Sequence, residues 1–165
     1  MSGKWKIKMT PCIKLLKKAK TVYVVHQYEH DTTCNSYGEE AAQKLGALQE
    51  RVFKTLVVVT DKDEFAVGIV PVSVKLSLKA MAKALGVKKT TMADAHDVEK
   101  ITGYVLGGVS PLGQKKRLKT LIDASAADFP TIFVSAGKRG LDVELSAKDL
   151  QELLQAKFEN IAMQD

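Results

Sequence analysis

Residues 53–70 read Phe53-Lys-Thr-Leu-Val-Val-Val-Thr60, then Asp61-Lys62-Asp63, then Glu64-Phe-Ala-Val-Gly-Ile-Val70. Two apolar runs rich in β-branched residues, divided by three polar turn residues, predict a β-hairpin. No helix separates its strands. The pattern recurs near the C-terminus, where Leu118–Asp123 and Thr131–Ser135 read as strands and Gly137–Gly140 as a turn leading into a strand at Leu141–Leu145. Strands in adjacent pairs, rather than in strict alternation with helices, favour an α+β fold over a doubly wound one. The expected architecture is one domain with a mixed, largely antiparallel, barrel-like β-sheet core flanked by helices.

Helix signals fill the rest of the chain. Thr10 is a good N-cap, Pro11 suits the first helical position, and Cys12, Leu15, Leu16 and Ala19 follow at i, i+3, i+4 and i+7, leaving Lys14, Lys17 and Lys18 on the outer face. Val22–Tyr28 reads as a strand and Lys88–Met92 as a short one. Gly38–Leu45 and Leu78–Leu85 read as helices closed by Gly46 and Gly86, Asp94 caps a helix reaching Ile101, and Ser146 caps a final helix. Thr102–Gly113 is a glycine-rich loop.

With 165 residues, 45% of them hydrophobic and 27% charged, the chain has the composition of a globular domain. A coiled coil, a disordered chain and a membrane span are excluded. The net charge is +6, and Met1–Lys20 hold seven lysines and no acid, so the remainder carries 18 basic against 19 acidic residues. A basic excess points to an anionic partner such as nucleic acid, but an excess confined to one end is weaker evidence than a basic domain. Residues 1–8 read as a loose basic tail ahead of a domain at 9–165. They lack the arginine and abundant serine of an organelle transit peptide. Cys12 and Cys34 are the only cysteines, and no apolar signal-peptide core is present, so the expected setting is a reducing cytoplasm without a disulfide scaffold.

The stretch Gly103-Tyr-Val-Leu-Gly107-Gly108-Val-Ser110-Pro111-Leu-Gly113-Gln-Lys115-Lys116-Arg117 carries the most information. Its glycines allow close backbone approach to a ligand. Gly108 to Lys115 nearly matches a P-loop, but Gln114 displaces the lysine and no hydroxyl follows to hold magnesium. Gly108, Ser110 and Gly113 miss a nucleophile elbow by one residue, so Ser110 is a poor nucleophile candidate. What stays open is a phosphate-binding loop or a solvated turn before a basic strand edge.

His26 and His30, with Asp31 and Cys34 nearby, match no zinc spacing, so no metal site is expected and both histidines read as partly exposed polar groups at a strand end. His96 is expected to face solvent, Cys12 to sit in the core and Cys34 to be an exposed loop thiol without a base. Lys54 differs, because strand alternation puts it on one face with Leu56 and Val58. A lysine there must either snorkel or meet a ligand oxygen. Asp142 interrupts the start of an apolar strand and reads as a site carboxylate, a partner for Arg139 or a turn carboxylate.

Six segments in order, Met9-Thr-Pro-Cys-Ile-Lys-Leu-Leu16, Tyr28-Glu-His-Asp31, Tyr37-Gly-Glu-Glu-Ala-Ala42, Phe53-Lys-Thr-Leu56, the stretch from Thr102 to Arg117, and Ser135-Ala-Gly-Lys-Arg-Gly-Leu-Asp-Val-Glu144, closely resemble the YbaK (EbsC) family. These are bacterial Cys-tRNA(Pro) deacylases related to the editing insertion domain of prolyl-tRNA synthetases. The resemblance implies trans-editing without a cofactor: cysteine is removed from mischarged tRNA(Pro), with prolyl-tRNA synthetase as an associated partner and no membrane partner. It also implies that the thiol of the bound cysteine attacks its own ester carbonyl, so that no protein nucleophile is needed. The family site maps onto Lys54, Gly107 and Asp142 as catalytic groups, with Tyr28, Tyr104, Gly108, Ser110, Pro111 and Ser135 binding the substrate. With tRNA as partner, Lys115, Lys116, Arg117, Lys138 and Arg139 are the expected backbone contacts. Ala136, where many relatives carry glycine, is expected to narrow the pocket beside Ser135. The alternatives are a relative that hydrolyses Ala-tRNA(Pro) with a positioned water, and a non-catalytic tRNA- or synthetase-binding module.

Overall fold

A computed structural model gives the structure of residues 9–33 and 36–164; the expected basic tail at 1–8 and the expected loop thiol Cys34 lie outside these described residues. The hairpin at 53–70 is present as β2 (Phe53–Thr60) and β3 (Phe65–Pro71), paired antiparallel with Leu56 opposite Gly68. Its turn closes through Asp63, at φ 59°, whose N–H donates to Thr60 O. Around it lie α1 (Pro11–Ala19), β1 (Val24–Gln27), α2 (Tyr37–Leu45), α3 (Leu78–Leu85), β4 (Thr90–Met92), α4 (Ala95–Thr102), β5 (Lys119–Asp123), β6 (Ile132–Lys138), β7 (Leu141–Leu145), α5 (Ala147–Leu154) and β8 (Lys157–Glu159).

The strands form two sheets, one of five in the order β4-β2-β3-β5-β8 and one of three in the order β1-β7-β6. Antiparallel pairs dominate, while β3 with β5 and β5 with β8 run parallel. The barrel-like closure expected from the sequence is not formed. An isolated parallel bridge, Val52 to Phe133, joins the sheets, and β1, β4 and β8 remain as edges. Short edge strands limit pairing with other chains.

Helix ends follow the expected signals. Thr10, Ser77, Asp94 and Ser146 each accept a hydrogen bond from the backbone N–H three residues on, and Gly46 and Gly86 adopt the left-handed conformation at the C-termini. α1 buries Cys12, Ile13 and Leu16 against Val134, Val143 and Leu112 in the main core. Its lysines carry no ion pair with a described residue. No helix among the described residues is long and apolar enough to cross a membrane.

The start of α1 also holds the glycine-rich loop from behind. Gly113 has φ 74°, and a Cβ there would meet Pro11 C at 2.6 Å and Cys12 N at 2.8 Å. Gly113→Ala therefore adds a left-handed alanine and a backbone clash, and is expected to cost about 1–3 kcal/mol. A fall in thermal midpoint measures it, and an unchanged midpoint would mean that α1 and the loop separate without loss.

Candidate functional site

A cavity of about 410 Å³ opens where the two sheets meet, between β2, the start of α2 and the 106–109 turn. Strand β2 contributes Lys54, Thr55 and Leu56, the first turn of α2 contributes Tyr37 and Glu39, and the loop contributes Leu106, Gly107 and Val109. From the smaller sheet come Ser135 and Asp142, which stand opposite each other in the β6–β7 register just before it shifts between Ser135 and Lys138. Tyr28, following β1, completes that side. Its N–H donates to Gly140 O, and its carbonyl lies 2.5 Å from where a Gly140 Cβ would stand.

Lys54, Asp142 and Glu39 line this cavity, and no ion pair joins Lys54 to either acid. Asp142 is 5% exposed, and no described residue donates a hydrogen bond to its carboxylate. Burial pushes its carboxyl up to about 7, since the charged form has lost its water. Lys54 is half-buried, and its ammonium has neither a hydrogen bond nor an ion pair with a described residue. Burial lowers the Lys54 pKa, while the Glu39 carboxylate at the cavity mouth works the other way. Thr55 Oγ1 is also buried here without a partner. An unpaired cation, an unpaired carboxylate and an apolar surround fit a small ligand that carries an ammonium at one end and a polarised carbonyl at the other.

The glycine-rich loop supplies backbone on the mouth side. The Gly108 N–H donates to Val105 O at 3.0 Å, closing a turn, while Gly107 at φ 85° has no protein acceptor for its own N–H among the described residues. Gly107 and the two tyrosines Tyr28 and Tyr37 thus line the same cavity, with the Gly107 N–H left over for a ligand. The nucleophile candidates are unsuited to attack. Cys12 is fully buried, accepts or donates a hydrogen bond with Ser110, and has its thiol pushed up to about 11 by burial. Ser135 Oγ accepts from the Gly137 N–H at 3.1 Å, and no histidine lines the cavity.

A model of the aminoacyl-tRNA editing domain matches residues 31–153. The chain belongs to the aminoacyl-tRNA editing domain family. It is 35% identical over 156 residues to a protein of Enterococcus faecalis provisionally named Cys-tRNA(Pro)/Cys-tRNA(Cys) deacylase EbsC, with 94% of each chain covered. It is 28% identical over 141 residues to the uncharacterized protein YwhH of Bacillus subtilis, covering 83% of this chain and 89% of that one. The fold is shared with the crystal structure of a candidate trans-editing enzyme for prolyl tRNA synthetase, at 22% identity and a TM-score of 0.81 over 95% of this chain and all of the other.

Within this editing domain the expected site residues divide. Lys54, Gly107, Asp142, Tyr28 and Ser135 line one cavity. Tyr104, Gly108, Ser110 and Pro111 do not. Tyr104 is buried and its hydroxyl donates to Leu112 O at 2.6 Å; Ser110 is fully buried and its Oγ accepts from the Leu112 N–H. These two brace the loop from the core side, because its backbone has no sheet partner there to satisfy its polar groups. Gly108 packs against the backbone of Lys138 and Arg139, where a Cβ would meet Lys138 Cα at 2.9 Å. Ala136, expected to narrow the pocket, is buried in the core instead, with its carbonyl accepting from Thr10 Oγ1. Lys115, Lys116, Arg117 and Lys138 are exposed outside the cavity.

Sequence reading did not select Tyr37, Glu39, Thr55, Leu106 and Val109. Tyr37-Gly38 held one usable signal: a Cβ on Gly38 would stand 2.3 Å from Val72 Cγ1, so glycine is what lets α2 approach the hairpin. The two strand-end histidines are each paired with a carboxylate, His26 with Glu144 at 2.9 Å and His30 with Glu40 at 2.7 Å. Glu40 also accepts from the Asp31 N–H, tying the 28–31 segment to α2. Among the described residues no three His, Cys, Asp or Glu side chains converge to hold a metal ion.

Proposed function

We propose that this chain is a deacylase that removes cysteine from mischarged Cys-tRNA(Pro), acting as a single unit over residues 9–165 and alongside prolyl-tRNA synthetase. The observation that carries this reading is the pair of unpaired opposite charges, Lys54 and Asp142, in one cavity of an editing domain. An aminoacyl ester presents an α-ammonium, matched by Asp142, and an ester carbonyl, matched by Lys54 and the Gly107 N–H. The name of the Enterococcus faecalis relative covers cysteine on two different tRNAs. The amino acid is the shared part, so the cavity selects the amino acid and the synthetase supplies the tRNA. The exposed Lys115, Lys116, Arg117 and Lys138 meet tRNA phosphates near its 3′ end.

The chemistry follows from confinement. The cysteine sulfur attacks its own carbonyl carbon, the carbonyl–ribose C–O bond breaks, and the thiol proton ends on the departing ribose hydroxyl. The products are a four-membered thiolactone and free tRNA. Holding thiol and carbonyl at contact is worth a large effective concentration, and Lys54 with the Gly107 N–H stabilises the oxyanion as it forms. The cavity has no activated protein nucleophile, in keeping with this route.

Replacing the esterified cysteine by serine tests it. Single-turnover release from Ser-tRNA(Pro) should be slower than from Cys-tRNA(Pro) by about 100-fold or more, since a neutral hydroxyl is a far weaker nucleophile than a thiol. Equal rates would overturn thiol attack in favour of a positioned water, and Ala-tRNA(Pro) would then turn over as well. Release from none of the three would leave only a binding module.

A further inference from the structure

Arg139 was expected to grip tRNA phosphate, but its surroundings give it other work. Its Nε donates to Leu106 O at 2.9 Å, and its guanidinium carbon lies 4.4 Å from the centroid of the Tyr37 ring. A Cβ on Gly107 would stand 2.5 Å from that Nε and 3.0 Å from Tyr37 Cδ2, so the arginine and tyrosine side chains both pack closely against the Gly107 backbone. We infer that Arg139 is a positioning residue that locks Tyr37 of α2 and the Leu106–Gly107 backbone into one wall of the cavity. The assignment rests on the deacylase reading, because that reading makes the Gly107 N–H a donor to the reacting oxygen.

The 105–107 segment needs such a lock. Val105 is 54% exposed and Leu106 40% exposed, so neither side chain anchors the turn in the core. The Gly108-to-Val105 backbone bond closes the turn on itself without fixing it to the body of the protein. Tyr104 and Ser110 hold the loop at its two flanks, and Gly108 rests on the 138–139 backbone. Between them the Arg139 side chain supplies both a hydrogen bond to the loop and a contact to α2. A planar guanidinium suits this position, since it stacks on an aromatic face while its edge donates. Glycine at 107 is required for the same reason, as any side chain would displace Arg139.

The test compares Arg139→Ala, Arg139→Lys, Tyr37→Ala and the Arg139→Ala/Tyr37→Ala double variant with wild type on Cys-tRNA(Pro). Single-turnover rate at saturating enzyme and tRNA affinity across a salt series are both read. Arg139→Ala should lower the rate by about 10- to 100-fold through misplacement of the loop, with affinity and salt slope unchanged. Tyr37→Ala should do the same, the double variant should be no slower than the slower single, and Arg139→Lys should restore part of the loss. A phosphate contact predicts the reverse: an unchanged saturated rate and a salt slope smaller by about one. That result would overturn the assignment. If wild type itself releases no cysteine, the deacylase reading has failed, and amide hydrogen exchange at Leu106–Gly108 still decides the local claim. Exchange at least about tenfold faster in Arg139→Ala upholds the lock, and unchanged exchange refutes it.

Discussion

Asp142→Asn is expected to make the protein more stable at pH 8 while removing most of its deacylase activity. The carboxyl has a pKa of about 7 in the folded protein against an ordinary 3.8, with burial as the cause. A proton bound more tightly in the folded state contributes stability that is complete below about pH 3.8 and is lost as the pH rises through 7. At pH 8 the folded protein therefore holds an ionised, unpaired carboxylate at a cost of up to about 4 kcal/mol. Asparagine avoids that cost, so its denaturant midpoint at pH 8 should exceed wild type and the difference should shrink toward pH 4. Activity moves the other way. The substrate ammonium would lose its buried counter-charge, a loss of about 2–5 kcal/mol, or at least about 30-fold in kcat/KM. The part of the pH–rate rise that belongs to Asp142, centred near 7, should vanish with it. Equal midpoints at both pH values would show that the carboxylate is already solvated or paired.

Lys54→Ala should lower the single-turnover rate by about 100- to 1,000-fold, the range for removing one donor to a developing oxyanion. Its effect on stability should be small, because the ammonium has no partner among the described residues and only the alkyl stem packs. That separation of function from stability marks a ligand-directed lysine. A snorkelling lysine would show the opposite pattern, with activity retained and a modest loss of packing. Lys54→Met, which keeps the stem, should match wild type in stability and Lys54→Ala in rate.

The hairpin, the capped helices and the 141–145 strand were legible in the sequence because each is written in local terms. Thr10, Ser77, Asp94 and Ser146 are cap residues acting on their own next turn, and 53–70 is a hairpin from its own periodicity. β8 was not legible: three residues, Lys157–Glu159, carry no period, and the strand exists because it runs parallel to β5. How far the barrel-like sheet core would close was not legible for a related reason, since closure depends on pairing between distant strands. Lys54 and Asp142 could be singled out as polar groups out of place on apolar strands. Tyr37 and Glu39 could not, because Gly38 marks a close approach of α2 but an ordinary amphipathic helix pattern does not say that this turn faces a cavity. Tyr104 and Ser110 show the converse limit. Their place in a glycine-rich loop made them candidates, yet their hydroxyl groups are spent on holding that loop.

Lys54 belongs to the five-stranded sheet and Asp142 to the three-stranded one, and among the described residues the β-bridge that joins those sheets runs from Val52 to Phe133. The placing of Lys54 and Asp142 in one cavity is therefore a property of the assembled molecule and of neither sheet alone. A chain caught midway through synthesis or partial unfolding holds one charge without the other. An enzyme that strips amino acids from tRNA is hazardous to protein synthesis when indiscriminate. On the proposed mechanism, dividing its charges across a seam leaves a damaged or unfinished copy inert instead of promiscuous.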